Sequence, residues 1–272
     1  MPKGVLVDIT RCIGCKSCMV ACKTWNDLPS TLSSFSNTWD SPGKTNAYTW
    51  TVVNSYISDK NNQVNWRFVK KQCMHCNEPA CESACFTHSF VKTKEGAVIY
   101  KPEELNKDYC VGCRYCMIAC PFDVPKFQWD KAFPYVQKCR FCYDRMKQEG
   151  LEPACVTACP TGTLKFGERE ELLAEAQQRI NSNPRYIKHI YGEKEYGGTS
   201  WLYISDVPFE EIGFRTNVTQ KSIPQYTWQA LKWTPYIFVG WGAILTGLYL
   251  YTKRRAEVQA EEEMYEQIKD EI

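Results

Sequence analysis

Sixteen cysteines constrain this 272-residue chain more than any other feature, because they form four groups of four with none left over. The groups are Cys12, Cys15, Cys18 and Cys22; Cys73, Cys76, Cys81 and Cys85; Cys110, Cys113, Cys116 and Cys120; and Cys139, Cys142, Cys155 and Cys159. The first and third groups have the spacing C-x2-C-x2-C-x3-C, which is typical of bacterial ferredoxins. Sixteen thiolates in such groups predict four [4Fe–4S] clusters, and a chain with four clusters is expected to carry electrons.

The groups also repeat in the order A-B-A-B. Segment 110–120 matches segment 12–22 at most positions, and segments 78–85 and 152–159 share a Glu-Pro-Ala-Cys run followed by Ala-Cys. This repetition indicates a duplicated two-cluster unit. In such a unit three cysteines of one loop hold a cluster, while the fourth, one helical turn later, belongs to the neighbouring cluster. A glycine inside each A loop, at positions 14 and 112, lets backbone amides approach the cluster sulfides.

Two other uses of cysteine fit the sequence less well. Disulfides are disfavoured because cysteines this close in sequence are sterically poor partners for each other. Zinc sites usually join two well-separated C-x2-C pairs, whereas a third and fourth cysteine two and three residues later suit a cubane cluster better. The B groups carry longer steps, from Cys76 to Cys81 and from Cys142 to Cys155, but each still ends in C-x3-C. All four ligands are present in each group, which disfavours a three-iron cluster.

The remaining sequence predicts an α+β domain over residues 1–204. With 44% hydrophobic residues the chain is expected to fold, and a net charge of +2 gives no strong steering toward nucleic acid. Residues 1–8 lack the apolar stretch of a signal peptide and read as a strand. The other predicted elements are an insertion at 25–72 with a hairpin formed by 47–53 and 64–69, a turn at 59–62, a hairpin at 92–100, an amphipathic helix at 168–180 and a strand at 201–204.

The segment 235–251 carries no charged residue and has aromatic residues near its ends. Its length predicts one transmembrane helix over 233–252, which would place the chain in the lipid bilayer. Residues 205–232 then read as a surface linker and residues 253–272 as a charged tail. A buried core helix is the alternative interpretation of the apolar segment.

The charges beside this segment predict an orientation. Three basic residues, at 253–255, follow the segment and only Lys232 precedes it, so the positive-inside tendency places the tail in the cytoplasm. The cluster domain would then be periplasmic or otherwise extracytoplasmic, carried across by a partner with its own export signal. The alternative is a cytoplasmic cluster domain.

No substrate chemistry is evident on this chain. It has no G-x-G-x-x-G or P-loop motif, and no C-x-x-C pair is followed by histidine, which excludes covalent c-type haem. His75, within the second cysteine group, either donates a hydrogen bond to a cluster sulfur or lies in a loop at a subunit contact. A set of basic residues near the cysteines either offsets cluster charge or is simply solvated. This set is Lys16, Lys23, Arg114, Lys138 and Arg140.

Longer motifs carry a family resemblance. The run Cys-Met-His-Cys-Asn-Glu-Pro-Ala-Cys at 73–81, the run Cys-Pro-Phe-Asp-Val-Pro at 120–125 and Gly-Gly-Thr-Ser at 197–200 accompany the four cysteine groups and the C-terminal apolar segment. Together they resemble the iron–sulfur β subunits of membrane-bound respiratory oxidoreductases, such as formate dehydrogenase-N and hydrogenase-2. One departure from simple ferredoxins is that Lys23 and Phe86 follow the last cysteines of the first two groups, where Cys120 and Cys159 are followed by proline.

The resemblance implies that the first cysteine group pairs with the fourth, and the second with the third. Set I would comprise Cys12, Cys15, Cys18 and Cys159; set II Cys22, Cys139, Cys142 and Cys155; set III Cys73, Cys76, Cys81 and Cys120; and set IV Cys85, Cys110, Cys113 and Cys116. The repeat alone is equally compatible with side-by-side pairing of the first two groups and of the last two.

The resemblance also implies partners. The chain would be an electron-transfer subunit and not itself an enzyme. A catalytic subunit with a molybdenum or tungsten cofactor, or a nickel–iron centre, would exchange electrons with the clusters. A polytopic membrane subunit with b haem or a quinone site would connect them to the quinone pool. The alternatives are a membrane-anchored polyferredoxin that serves soluble redox partners and a purely structural metal-binding module.

Overall fold

The structure, a computed structural model, describes residues 2–32, 40–60, 63–100 and 110–270, which divide into two compact units at residues 224 and 225. The strands are β1 (Lys3–Asp8), β2 (Val52–Lys60), β3 (Gln63–Lys71), β4 (Phe90–Lys92), β5 (Val98–Tyr100), β6 (Lys126–Phe127), β7 (Val136–Gln137), β8 (Leu164–Glu168) and β9 (Trp201–Ile204). The helices are α1 (Ser17–Trp25), α2 (Ala80–Ser83), α3 (Tyr115–Ala119), α4 (Tyr143–Glu149), α5 (Ala154–Thr157), α6 (Arg169–Ser182), α7 (Ile223–Leu231) and α8 (Thr234–Asp270).

A three-stranded sheet forms the centre of the first unit. β1 lies in the middle, antiparallel to β8 and parallel to β9, so that Val5 pairs with both Phe166 and Trp201. Residues of β1 and β9 are almost completely buried on both faces, as expected for short apolar strands covered by other elements on each side. One face belongs to the main hydrophobic core, and the other packs against α6.

The sequence correctly predicted α6 and its buried face. Leu172, Ala176 and Ile180 are 0–4% exposed and pack against Leu6 and Leu202 of the sheet. Their spacing of four residues places them on one side of the helix, which is why the pattern was readable. The strand predicted at 201–204 is also present as β9.

Three hairpins complete the strand pairs, namely β2–β3, β4–β5 and β6–β7. The hairpin predicted at 92–100 is present as β4–β5. The insertion hairpin is also present, but its first strand begins at Val52 and not at residue 47. An Asx turn accounts for the shift, since the side chain of Asn46 accepts a hydrogen bond from the backbone of Tyr48 (2.8 Å) and a bridge joins Asn46 to Thr49. Within the predicted turn, residues 61 and 62 lie outside the described residues.

The prediction of a surface linker from residue 205 is wrong for its first part. Val207, Phe209 and Ile212 are 1–7% exposed and belong to the main core, together with Phe214. These apolar residues follow neither a helical nor a strand period, so periodicity did not reveal them. The first unit accordingly extends to residue 224.

The second unit contains α8, a single helix of 37 residues that continues from the apolar segment into the charged tail. Within the described residues, no helix combines the length and the apolarity needed to cross a membrane. The predicted transmembrane helix at 233–252 is therefore not supported. Tyrosine, tryptophan, glycine and threonine make up much of this segment and contribute little hydropathy.

We expect Gly192→Ala to destabilise the first unit strongly. Gly192 has a φ of +97°, and a Cβ atom there would collide with the backbone oxygen of Trp201 and lie 2.6 Å from Oγ1 of Thr199. The left-handed backbone costs about 1–2 kcal/mol with a side chain, and forced overpacking adds about 1–3 kcal/mol. The measurement is the midpoint of urea unfolding followed by tryptophan fluorescence.

Gly150→Ala is the matched control for this prediction. Gly150 also has a positive φ, of +65°, but no atom lies within 4 Å of its added Cβ. Only the backbone cost of about 1–2 kcal/mol should then appear. Equal destabilisation by the two substitutions would show that the contact between Gly192 and β9 is unimportant for stability.

Candidate iron–sulfur cluster sites

The two A loops share one backbone conformation. Gly14 and Gly112 have φ angles of +70° and +71°, and two residues later Lys16 and Arg114 have φ angles of +61° and +63°. These left-handed residues curl each loop around its cysteines and then start α1 and α3. The identical geometry follows from the sequence repeat.

The two B loops also share a design. Pro79 and Pro153 are extended N-caps of the short helices α2 and α5, each of which holds one cysteine. The last cysteine of each B group is followed by hydroxyl residues that sit beside its sulfur. In the first B loop the backbone N–H of Ser89 donates to Sγ of Cys85 (3.3 Å) and Oγ1 of Thr87 lies 3.4 Å away.

Sequence reasoning missed these hydroxyls. Partial burial by itself would raise the pKa of Cys85 and Cys159, but hydrogen bonds from the following residues outweigh it and lower both pKa values. In the second B loop these residues include Thr161 and Thr163. The sequence does contain a pattern that could have indicated them, because both cysteines begin a repeated C-x-T-x-S/T motif.

The structure brings together cysteines from distant parts of the sequence. The thiol groups that interact electrostatically are Cys12 with Cys15 and Cys159; Cys139 with Cys22 and Cys142; Cys76 with Cys73, Cys81 and Cys120; and Cys116 with Cys85, Cys110 and Cys113. Each of these pairs lies within one of the four sets implied by the family resemblance, although Cys139 also interacts with Cys73 of set III.

The sheet explains why the first A loop meets the second B loop. β1 leads into the first cysteine group and β8 follows the last, and their antiparallel pairing puts Val7 opposite Leu164. The chain leaving β1 and the chain entering β8 therefore lie at the same end of the sheet. Helices α1 and α5, which carry cysteines of the two groups, contact each other there.

Further electrostatic interactions between thiol groups connect the four sets in a linear order. Cys18 of set I interacts with Cys155 of set II, Cys139 of set II with Cys73 of set III, and Cys81 of set III with Cys116 of set IV. At the two ends of this series, Cys15 of set I and Cys113 of set IV are exposed.

The donor groups suit iron–sulfur clusters. All sixteen cysteines are free thiols, and backbone N–H groups point at the sulfurs, as Phe141 N–H does at Sγ of Cys139 (3.4 Å). Within the described parts of the chain, no three His, Cys, Asp or Glu side chains are close enough to hold a single metal ion. A cubane spreads its four thiolates around four iron atoms, so its ligands stand further apart than those of one ion.

Burial makes the thiols hard to ionise. Burial raises the pKa of Cys18, Cys22 and Cys116 to about 12 and that of Cys142 to about 11. Iron binds the thiolate, so the sites require compensating positive charge before these sulfurs can act as ligands.

Two buried lysines supply part of that charge. Lys70 and Lys138 are each 3% exposed. Burial alone would lower the pKa of Lys70, but the thiolates of Cys155 and Cys18 outweigh it, so the net pKa lies above the usual value. Lys138 behaves similarly beside Cys73 and Cys81. Sequence reasoning left open whether Lys138 is solvated, which the structure excludes, and it did not single out Lys70.

His75 is fully buried, so its interpretation as a loop residue at a subunit contact is wrong. Its Nδ1 accepts a hydrogen bond from the backbone N–H of Val98 (2.9 Å), which makes Nε2 the protonated nitrogen. Nε2 has no hydrogen-bond partner among the described residues. Burial, with help from Lys138, holds the pKa of His75 well below its usual value, so the imidazole is neutral. Donation to a cluster sulfur stays a prediction.

We expect Gly14→Ala to reduce the iron content more than Gly112→Ala. Both substitutions carry the same left-handed backbone cost of about 1–2 kcal/mol. A Cβ at position 14 would lie 2.5 Å from the ring of Phe68, whereas one at position 112 would lie 3.5 Å from the ring of Phe127. Iron per chain measures the effect, and Phe68→Ala should restore iron to Gly14→Ala. Equal losses without such rescue would contradict this account of the loop.

Comparison with known proteins also indicates iron–sulfur clusters. Two family models, both described as "4Fe-4S dicluster domain", match residues 11–89 and 64–169. Together the matched residues include all sixteen cysteines.

Several relatives align over most of the chain. A protein of Nitratidesulfovibrio vulgaris (Hildenborough) is 46% identical over 264 residues, which cover 96% of this chain and 69% of the relative. The hydrogenase-2 operon protein HybA of Escherichia coli O157:H7 is 35% identical over 240 residues, covering 77% and 71%. The formate dehydrogenase-O iron-sulfur subunit of Escherichia coli K12 is 34% identical over 247 residues, covering 88% and 78%. The chain therefore belongs to the family of 4Fe-4S dicluster iron–sulfur subunits that includes these relatives.

Proposed function

We propose that this chain relays electrons through four [4Fe–4S] clusters between a catalytic subunit and a quinone-reactive membrane subunit. The linear succession of four sulfur-lined sites carries the proposal. Each cluster would be held by one cysteine set, I to IV, as defined above. Bound clusters would supply one-electron redox chemistry, and the protein would supply the thiolate ligands, the amide and hydroxyl donors and the order of the sites.

The exposed ends of the series support a relay. Cys15 and Cys113 belong to sets I and IV, and both are exposed. Beside them, Ile13 and Val111 are 61% and 65% exposed, although large apolar side chains are usually buried. Two exposed apolar surfaces at opposite ends of the series suit contact with two different partners, one to give electrons and one to take them.

The partners are proposed from the relatives. HybA and the formate dehydrogenase subunits are named for hydrogenase-2 and formate dehydrogenase. By analogy the catalytic partner would be a nickel–iron hydrogenase or a molybdenum or tungsten formate dehydrogenase. The membrane partner would carry b haem or a quinone site.

Isolation of the native complex tests the partners. The chain would be extracted from its own membranes in mild detergent, and the co-purifying proteins identified by mass spectrometry. We expect a large catalytic subunit together with a polytopic membrane protein. Recovery of the chain alone, with its clusters intact, would contradict the relay and favour a polyferredoxin with soluble partners.

Removal of one ligand tests the path. Cys113→Ser should lose about a quarter of the iron, because it removes a ligand of one of four clusters. Electron transfer from substrate to quinone should fall at least tenfold. Reduction of a small artificial acceptor by the catalytic subunit should be largely unchanged, which makes this assay the internal control. Unchanged quinone reduction with the cluster missing would mean that electrons bypass set IV.

For location, we propose that the cluster-bearing unit lies on the extracytoplasmic face of a membrane, bound to its partner subunits. The support is sequence alone, since basic residues at 253–255 follow the uncharged segment and such residues are enriched on the cytoplasmic side. Protease added to intact spheroplasts should cut the cluster-bearing unit. Protection in spheroplasts with cleavage in inverted vesicles would place it in the cytoplasm instead.

A further inference from the structure

Two lysine side chains occupy two of the three junctions of the sulfur series, I–II and II–III. Lys70 and Lys138 are each 3% exposed, a state that lysine rarely adopts unless an opposite charge compensates it. Neither residue belongs to a cysteine motif, and neither is needed as an iron ligand. Their position therefore requires an explanation beyond cluster binding.

Lys70 lies between sets I and II. Its side chain lines one cavity with all four cysteines of set II, and the thiolate of Cys18 of set I is among the charges that raise its pKa. Its Nζ donates a hydrogen bond to Oε1 of Gln72 (2.8 Å) and lies 4.4 Å from the ring centre of Trp201. These two partners are neutral, so the cysteine sulfurs provide the compensating negative charge.

Lys138 lies between sets II and III. Its Nζ is 3.5 Å from Sγ of Cys73 and donates to the backbone oxygens of Val98 and Cys139. The negative charges of Cys73 and Cys81 of set III raise the pKa of Lys138, and so does that of Cys139 of set II. Set IV differs from the other sets. Besides burial, the main causes of the pKa shift of Cys116 are the other three cysteines of the set and a backbone hydrogen bond from Met117, and no lysine is among them.

We propose that Lys70 and Lys138 are positioning residues that raise the reduction potentials of the clusters on either side of them, with the cluster of set II raised by both. This inference rests on the proposed four-cluster relay. Reduction adds one electron to a cluster and makes it more negative by one charge. A fixed positive charge nearby in a poorly solvated interior stabilises that reduced form more than the oxidised form.

The consequence concerns where electrons reside. Cys22, Cys142 and Cys155 of set II are 7–8% exposed, whereas the outer sets each present an exposed cysteine. An electron that enters at either end is held in the buried middle of the series until a partner at the other end accepts it. The two exposed clusters then spend less time reduced at the protein surface.

The test is an EPR-monitored redox titration of the purified complex carrying Lys70→Met or Lys138→Met. Each substitution should lower two midpoint potentials, with at least a tenfold change in the reduced-to-oxidised ratio, which is ~59 mV for one electron. The two variants should have one affected cluster in common. The cluster lost in Cys113→Ser should be unaffected by both. Dithionite serves as the reductant.

Control variants distinguish an effect of the lysine charge from an effect of packing, and a failure of this inference from a failure of the proposed relay. Lys70→Arg keeps the charge and should keep the potentials near those of the wild type. Lys194→Met removes a lysine that is 65% exposed and should change none of them. Absence of the four cluster signals from the wild-type protein would refute the relay. Full iron content with unshifted potentials in Lys70→Met would refute only the role of the lysine.

Loss of iron in Lys70→Met would leave Lys138→Met and Lys70→Gln to decide the question. Lys70→Gln removes the charge but retains a donor for Gln72. Unshifted potentials in an iron-replete variant of either kind would overturn the proposal. A uniform shift of all four clusters would overturn it as well, because the effect of a local charge falls with distance.

Discussion

The structure depends on one constraint: the cysteine sulfurs are buried, although only their charged thiolate form binds iron. Burial raises the pKa of Cys18 and Cys22 to about 12, so burial by itself favours neutral thiols. Iron binding and the buried ammonium groups reverse this preference by supplying positive charge. Folding of the first unit should therefore be coupled to cluster insertion, as is common where ligands must be deprotonated before they bind metal.

Duplication gave the two halves of the first unit the same loops, but tertiary structure used them differently. The A loops share their left-handed residues and the B loops share their proline caps. The pairing of β1 with β8 then joins the first loop to the last, while the second and third groups meet each other inside this arrangement. One duplicated motif thus yields a linear series with two exposed ends.

Several elements could be predicted because they depend on local pattern. The cysteine spacing predicted all sixteen ligand sulfurs, and the four-residue spacing of Leu172, Ala176 and Ile180 identified α6. Failures occurred where a residue's environment comes from distant parts of the chain. Val207 and Phe209 were assigned to a linker although they belong to the main core.

The sequence by itself determined the chemistry of the sites, because ligand type and loop spacing are local properties that survive in any fold of the chain. It left open which cysteine groups share a site, since nested and side-by-side pairing use the same sixteen residues. Only the tertiary structure showed which groups lie near each other, because the antiparallel register of β1 and β8 brings the first group to the last. It also decided the environment of Lys70, whose position at the end of a strand says nothing about the thiolates that surround it, because those thiolates reach it from other cysteine groups.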